Sequence, residues 1–231
     1  MFFDPLWLVF AGPALLLALY AQLRVSSAYG KYSKVANMRG ITGVAAAKSL
    51  LTSQGLYDVT VEGTAGRLTD HYDPRSKTLR LSQGVYDSPS VAALGIVAHE
   101  VGHAVQDHTG YLPLRLRSGL VPLANLGSTL AFGLFIMGFL FRWAGFLWIG
   151  VALFTAAVLF ALVTLPVELN ASRRARAMLS NTGMVSIQEM DATKAVLSAA
   201  ALTYVAALLQ SVGQLVYFIF SAVGMGGSRD E

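Results

Sequence analysis

A chain of 231 residues holds either one globular domain or a modest catalytic unit joined to a few membrane spans, and its composition, 55% hydrophobic and 13% charged, favours the second. It contains no cysteine, which excludes disulfides and thiolate-bound metal, so a metal site must draw on His, Asp and Glu. The basic excess, 17 Lys and Arg against 13 Asp and Glu, is too small for a nucleic-acid surface and reports instead which side of a membrane the loops face.

Residues 6–23 form the first apolar stretch, slightly short and containing Pro13. Asp4 precedes it and Arg24 follows it, the wrong charge order for a cleaved signal, so it reads as a retained anchor. Residues 29–37 are polar and read as a linker. Residues 43–51 read as a helix ending near Gly55, and 58–62 alternate as a strand with Val59 and Val61 on one face. Residues 68–72 and 78–82 flank the turn sequence Asp73-Pro74-Arg75-Ser76 and predict a hairpin. An exposed edge at residues 78–82 could hold an extended substrate by strand addition. Ser88 before Pro89 predicts an N-cap and first helical position for a helix through 91–106.

Residues 120–141 and 144–165 follow, each apolar and uncharged over the length of about 20 residues that a span needs. Ser186 and Glu189 match a capping box leading into a fourth span at 196–220. That span is interrupted by Gln210, Ser211 and Gln214; the two Gln, at i and i+4, fit interhelical packing, a partner membrane protein or a second copy of the chain. Arg24, Lys31, Lys34, Arg39, Arg115 and Arg117 bracket one connecting segment, and Arg173, Arg174, Arg176 and Lys194 lie in another. Only Arg142 and Arg229 fall on the opposite side. The positive-inside rule therefore puts 24–118 and 167–195 in the cytoplasm and both termini outside.

The chemistry-bearing motif is His99-Glu100-Val101-Gly102-His103. Histidines four residues apart on a helix differ by about 40° and project from one face, where they can take adjacent corners of a zinc tetrahedron. Glu100 sits about 100° around the helix, poorly placed as the third ligand and well placed to hold a water and take its proton. Gly102 permits close approach of another backbone. The surrounding helix is apolar, so polar residues in it need a purpose.

The third ligand must come from elsewhere. His108 lies about 140° from His103 and reads as solvated. His71, on the hairpin, could contact substrate or a transition-state oxyanion, or be a surface residue bonded to Asp70 or Asp73. Glu168, two residues past Pro166 where the third span ends, is the better ligand candidate. His-His-Glu plus water is the ligand set of one large group of zinc peptidases. Asn170, Ser172 and Arg173 are weaker candidates for supporting the ligands or binding substrate. For Arg173, Arg174 and Arg176 the plainer reading is lipid-headgroup contact.

The N-terminal anchor, residues 68–74 with Leu79-Arg80-Leu81-Ser82, the His99 motif, and Pro166-Val167-Glu168-Leu169-Asn170-Ala171-Ser172-Arg173-Arg174-Ala175 together resemble the bacterial YugP-like membrane zinc metallopeptidases, in order over nearly the whole chain. More distantly the chain is similar to HtpX-type membrane proteases, from which it departs in having Ser172 where an Asp is expected. The resemblance implies a gluzincin-like enzyme of the bacterial cytoplasmic membrane. His99, His103 and Glu168 would bind one Zn2+ and Glu100 would act as base.

The expected fold class is an α-helical integral membrane protein with about four transmembrane helices and a small cytoplasmic α+β zincin-like catalytic unit. Its expected parts are an anchor at 1–23, a zincin-like region at 24–118, a transmembrane hairpin at 119–165, cytoplasmic helices with the third ligand at 166–195, and a last span with a short tail at 196–231. The expected function is metalloendopeptidase activity on a peptide or membrane-protein substrate at the cytoplasmic face, in contact with lipid and not nucleic acid. Two other readings keep the zinc: a membrane scaffold without proteolytic activity, against which the intact Glu100 argues, and a hydrolase of a non-peptide amide.

Overall fold

The computed structural model describes residues 5–227; Asp4 and Arg229, used above for orientation, lie outside the described residues. The elements in chain order are α1 (Pro5–Tyr32), α2 (Gly43–Ser53), β1 (Thr60–Thr64), β2 (His71–Asp73), β3 (Thr78–Ser82), a short α3 (Gln83–Tyr86), α4 (Val91–His108), α5 (Leu112–Phe141), α6 (Ala144–Asn181) and α7 (Ile187–Gly227). The protein is mostly helical with one small sheet. Among the described residues, α1, α5, α6 and α7 are long and apolar enough to cross a membrane.

The chain divides into two compact units. One comprises Met1–Tyr20, Arg115–Pro166 and Thr203–Glu231. It turns large apolar side chains outward, including Leu16, Leu126 and Leu140, each at least 65% exposed. An apolar surface of that extent suits hydrocarbon and not water. Its interior is aromatic: the rings of Phe132, Phe135 and Phe154 surround Phe218. Within this unit Trp7 Nε1 donates to Gln214 Oε1 at 2.9 Å, so one of the two glutamines noted in the last span is used internally.

The second unit comprises Ala21–Leu114 and Val167–Leu202. Its centre is α4, whose apolar residues Leu94, Val97, Ala98 and Val101 pack in one core with Ala47 and Leu50 of α2. Leu79 and Leu81 of β3, Ala175 and Leu179 of α6, and Leu197 of α7 complete that core. The helix begins at Ser90, whose Oγ accepts from the Ala93 N–H at 3.2 Å. The cap is thus two residues later than the Ser88-Pro89 reading. The reason is tertiary: the chain entering α4 pairs with the segment after α1, through Asn37 N–H to the Pro89 carbonyl and Val91 N–H to the Val35 carbonyl. That pairing includes a bridge between Ala36 and Ser90 and holds Ser90 extended, and Ser88 Oγ donates to Ser90 Oγ.

Two further expectations change. The linker proposed at 29–37 is helical as far as Tyr32, because Tyr29 is buried in the core and nothing before Tyr32 breaks the helix. The sheet order is β1-β3-β2, with β1 parallel and β2 antiparallel to β3. The predicted hairpin forms, but residues 78–82 are the middle strand, paired with β1 along their whole length and with β2 at Thr78–Arg80. The edge that strand addition needs is therefore occupied by β1 along residues 78–82 and by β2 at Thr78–Arg80. The capping box forms as read: Ser186 N–H donates to Glu189 Oε2 at 2.7 Å and Glu189 N–H to Ser186 Oγ at 3.2 Å.

Candidate metal centre

Helix α4 carries His99, Glu100 and His103, and α6 carries Glu168, all within the second unit. The two helices approach closely at Gly102. A Cβ there would lie 2.8 Å from the Ala171 carbonyl oxygen, so any side chain would force the backbones apart. This contact brings Glu168 over the paired histidines. His99 Nε2 lies 3.1 Å and His103 Nε2 3.6 Å from Glu168 Oε2. One donor atom from each of the three residues falls within 4.8 Å of the others.

The donor set fits zinc. Two ligand atoms about 2.0–2.1 Å from a tetrahedral ion lie about 3.3 Å apart, and the two imidazole–carboxylate separations bracket that value. The set combines borderline nitrogen donors with one carboxylate oxygen, the chemistry zinc prefers in the absence of thiolates. Burial sharpens the preference: Glu168 is 2% exposed and His103 8%, and a buried carboxylate needs a cation or strong donors to offset its desolvation. His99, His103 and Glu168 therefore form a cluster that can hold one metal ion.

The remaining imidazole nitrogens are both occupied. His99 Nδ1 lies 3.1 Å from Ser172 Oγ, so the hydroxyl standing in place of an Asp still contacts a histidine of the cluster. His103 Nδ1 lies 3.0 Å from Gln106 Oε1. Gln106 Nε2 in turn donates to the Val167 carbonyl at 2.8 Å and to Asn170 Oδ1 at 3.0 Å. Asn170 Oδ1 also accepts from Arg174 Nε at 2.8 Å. Asn170 and Ser172 thus join the network around the histidines, whereas Arg173 is exposed and its neighbour Arg174 turns inward.

Glu100 is buried, and its Oε2 accepts the backbone N–H of Tyr72 on β2 at 3.1 Å. Burial pushes its carboxyl above the ordinary value, against the lowering pull of His99 and His103. Tyr72 is itself tied to the same helix, its hydroxyl donating to Asp107 Oδ2 at 2.9 Å. His71 points elsewhere: it is exposed, with Nδ1 2.8 Å from the Thr69 carbonyl. Asp70 is used by Ser82, whose N–H and Oγ both donate to it, and Asp73 closes the following turn through Arg75 and Ser76. His108 ends α4 in an exposed position.

Sequence reasoning missed three participants: Gln106, the Tyr72 backbone amide and Arg174. Gln106 carried a usable signal, a polar side chain one turn after His103 inside an apolar helix. A backbone amide carries none.

Residues 7–223 match the family described as "Putative neutral zinc metallopeptidase". The chain is 45% identical over 218 residues to the Bacillus subtilis (strain 168) protein named "Putative membrane protease YugP", covering 94% of this chain and 96% of that protein. No solved structure matches. With a family match that spans most of the chain and a relative of this identity over nearly its whole length, the protein belongs to the neutral zinc metallopeptidase family.

Proposed function

We propose that this protein is a membrane-embedded zinc endopeptidase that cleaves peptide bonds at the cytoplasmic face of a bacterial cytoplasmic membrane. His99, His103 and Glu168 are its metal ligands and Glu100 its general base. The observation that carries the reading is the convergence of two histidines and a buried carboxylate from separate helices, with a second carboxylate one residue along the zinc helix. A zinc ion held there supplies Lewis-acid polarisation of the scissile carbonyl and lowers the pKa of water. Glu100 takes the proton released as water attacks and returns it to the leaving amine nitrogen. The Tyr72 N–H, donating to Glu100 Oε2, ties that carboxylate to β2.

In this reading residues 24–118 form the cytoplasmic zincin-like region and 166–195 the cytoplasmic helices with the third ligand, while 1–23, 119–165 and 196–231 provide the membrane anchor, hairpin and last span. The basic residues bracketing 24–118 and 167–195 support that orientation. Glu168 lies two residues beyond Pro166 on the helix whose apolar first part is the third candidate span, which favours membrane-proximal peptide segments as substrates. The test is cleavage of casein or a membrane peptide by purified protein. Glu100→Gln should keep near-stoichiometric zinc and lose about 10²–10⁴-fold in turnover, the range for a lost general base. His99→Ala and His103→Ala should lose both zinc and turnover. Wild-type cleavage by Glu100→Gln would refute the assigned proton transfer.

A further inference from the structure

Gln106 is completely buried, and the peptidase chemistry proposed above does not use it. A carboxamide has one acceptor oxygen and one donor nitrogen, so its neighbours fix which way it faces. Nε2 lies 2.8 Å from the Val167 carbonyl, a group that can only accept. It also lies 3.0 Å from an Asn170 side-chain atom that receives the Arg174 guanidinium; a guanidinium only donates, so that atom is the amide oxygen, Oδ1. Both Gln106 N–H bonds are accounted for, and the acceptor Oε1 is left facing His103 Nδ1 at 3.0 Å. His103 must therefore carry a proton on Nδ1. In the neutral imidazole the lone pair is then on Nε2, the atom turned toward Glu168.

His99 is held differently. Its Nδ1 meets the Ser172 hydroxyl, which can donate or accept and so does not choose between tautomers. We infer that Gln106 is a positioning residue that locks His103 in its Nδ1–H tautomer and aims the Nε2 lone pair at the metal, using the Val167 carbonyl as its fixed reference. This rests on the reading of His99, His103 and Glu168 as ligands. The lock has a second consequence. Because Val167 adjoins Glu168, one side chain sets the ring of a ligand on α4 against the backbone next to a ligand on α6. Without the lock the imidazole can flip or present N–H to the metal, and the zinc complex must then bear the cost of choosing the right state.

The experiment measures zinc affinity by chelator competition on the full-length, detergent-solubilised protein. Gln106→Leu should bind zinc about 10–100-fold more weakly, the usual effect of removing a group that orients a ligating histidine. Gln106→Glu keeps an acceptor for Nδ1–H but can no longer donate to the Val167 carbonyl and Asn170 Oδ1, so it should lose affinity too, by clearly less than Gln106→Leu. Equal losses in both variants would indicate packing alone and overturn the inference, as would an unchanged affinity in Gln106→Leu. His99→Ala, His103→Ala and Glu168→Ala separate the two levels. Full zinc in all three would sink the ligand set, whereas their loss beside an unaffected Gln106→Leu would sink only the role of Gln106. If Gln106→Leu does not fold by circular dichroism, the wild type still decides. The imidazole ¹⁵N spectrum of the zinc-loaded protein should show His103 protonated at Nδ1, and a proton on Nε2 would overturn the proposal.

Discussion

The Tyr72 backbone N–H donates to Glu100 Oε2 at 3.1 Å, so the carboxylate assigned to proton transfer is held by a strand as well as by its own helix. The Tyr72 hydroxyl reaches Asp107, two turns along the same helix, at 2.9 Å. The two bonds staple β2 to α4 on either side of His103. Removing the outer one should loosen the inner one. A neutral hydrogen bond contributes about 1 kcal/mol, more when its partner is charged. Tyr72→Phe should therefore lower thermal stability by that order and reduce kcat up to about tenfold, while zinc content stays at the wild-type level. Unchanged kcat in a variant of reduced stability would show that β2 does not position Glu100.

Glu168 is the proposed ligand whose assignment depends most on the fold. Its Oε2 is the atom both histidines face, at 3.1 and 3.6 Å. Glu168→Gln and Glu168→Ala should both lose most of their zinc under dialysis, the alanine variant more completely. Glu189→Gln serves as the control. It weakens a capping box worth about 1 kcal/mol without touching the centre, so its metal content should be normal. Full occupancy at unchanged affinity in both Glu168 variants would remove it from the ligand set.

The hairpin turn carries a pH signature. The Ser76 hydroxyl, then the Arg75 N–H and Arg80, hold the Asp73 carboxyl down from its ordinary 3.8 to about 2. A carboxyl with a depressed folded value contributes stability that is fully present above its unfolded value and disappears as pH falls through the folded one. Asp73→Asn should thus be less stable than wild type at neutral pH, with the gap closing between about pH 4 and pH 2. Thermal unfolding in detergent at pH 6, 4 and 2 reads this directly. A gap that does not narrow over that interval would mean the turn contacts act through something other than the ionised carboxylate.

Topology is open to a direct measurement. A reporter fused after Glu231 should be active only outside the cytoplasm, and one inserted beside Asp73 only within it. This follows from four spans and from the distribution of basic residues around them. Cytoplasmic activity of the C-terminal fusion would mean that one of the four long helices does not cross.

The sequence by itself determined what depends on neighbours a few positions apart. The His99–His103 spacing sets both imidazoles on one helix face, and the Ser186–Glu189 capping box closes within one turn. The four apolar runs are long enough to span because length and composition are local properties. Tertiary structure decided what depends on partners distant in the chain. The cap of α4 moved from Ser88 to Ser90 because residues 35–37 pair with the chain entering the helix. Residues 78–82 are the central strand because β1, from an earlier part of the chain, adds in parallel on the side away from the hairpin. Gln106 entered the centre because Val167 and Asn170, 61 and 64 residues away, supply acceptors that dictate its orientation. Helical periodicity says which residues share a face. It cannot say which atom of another helix will meet that face, and this contact sets the direction of a lone pair.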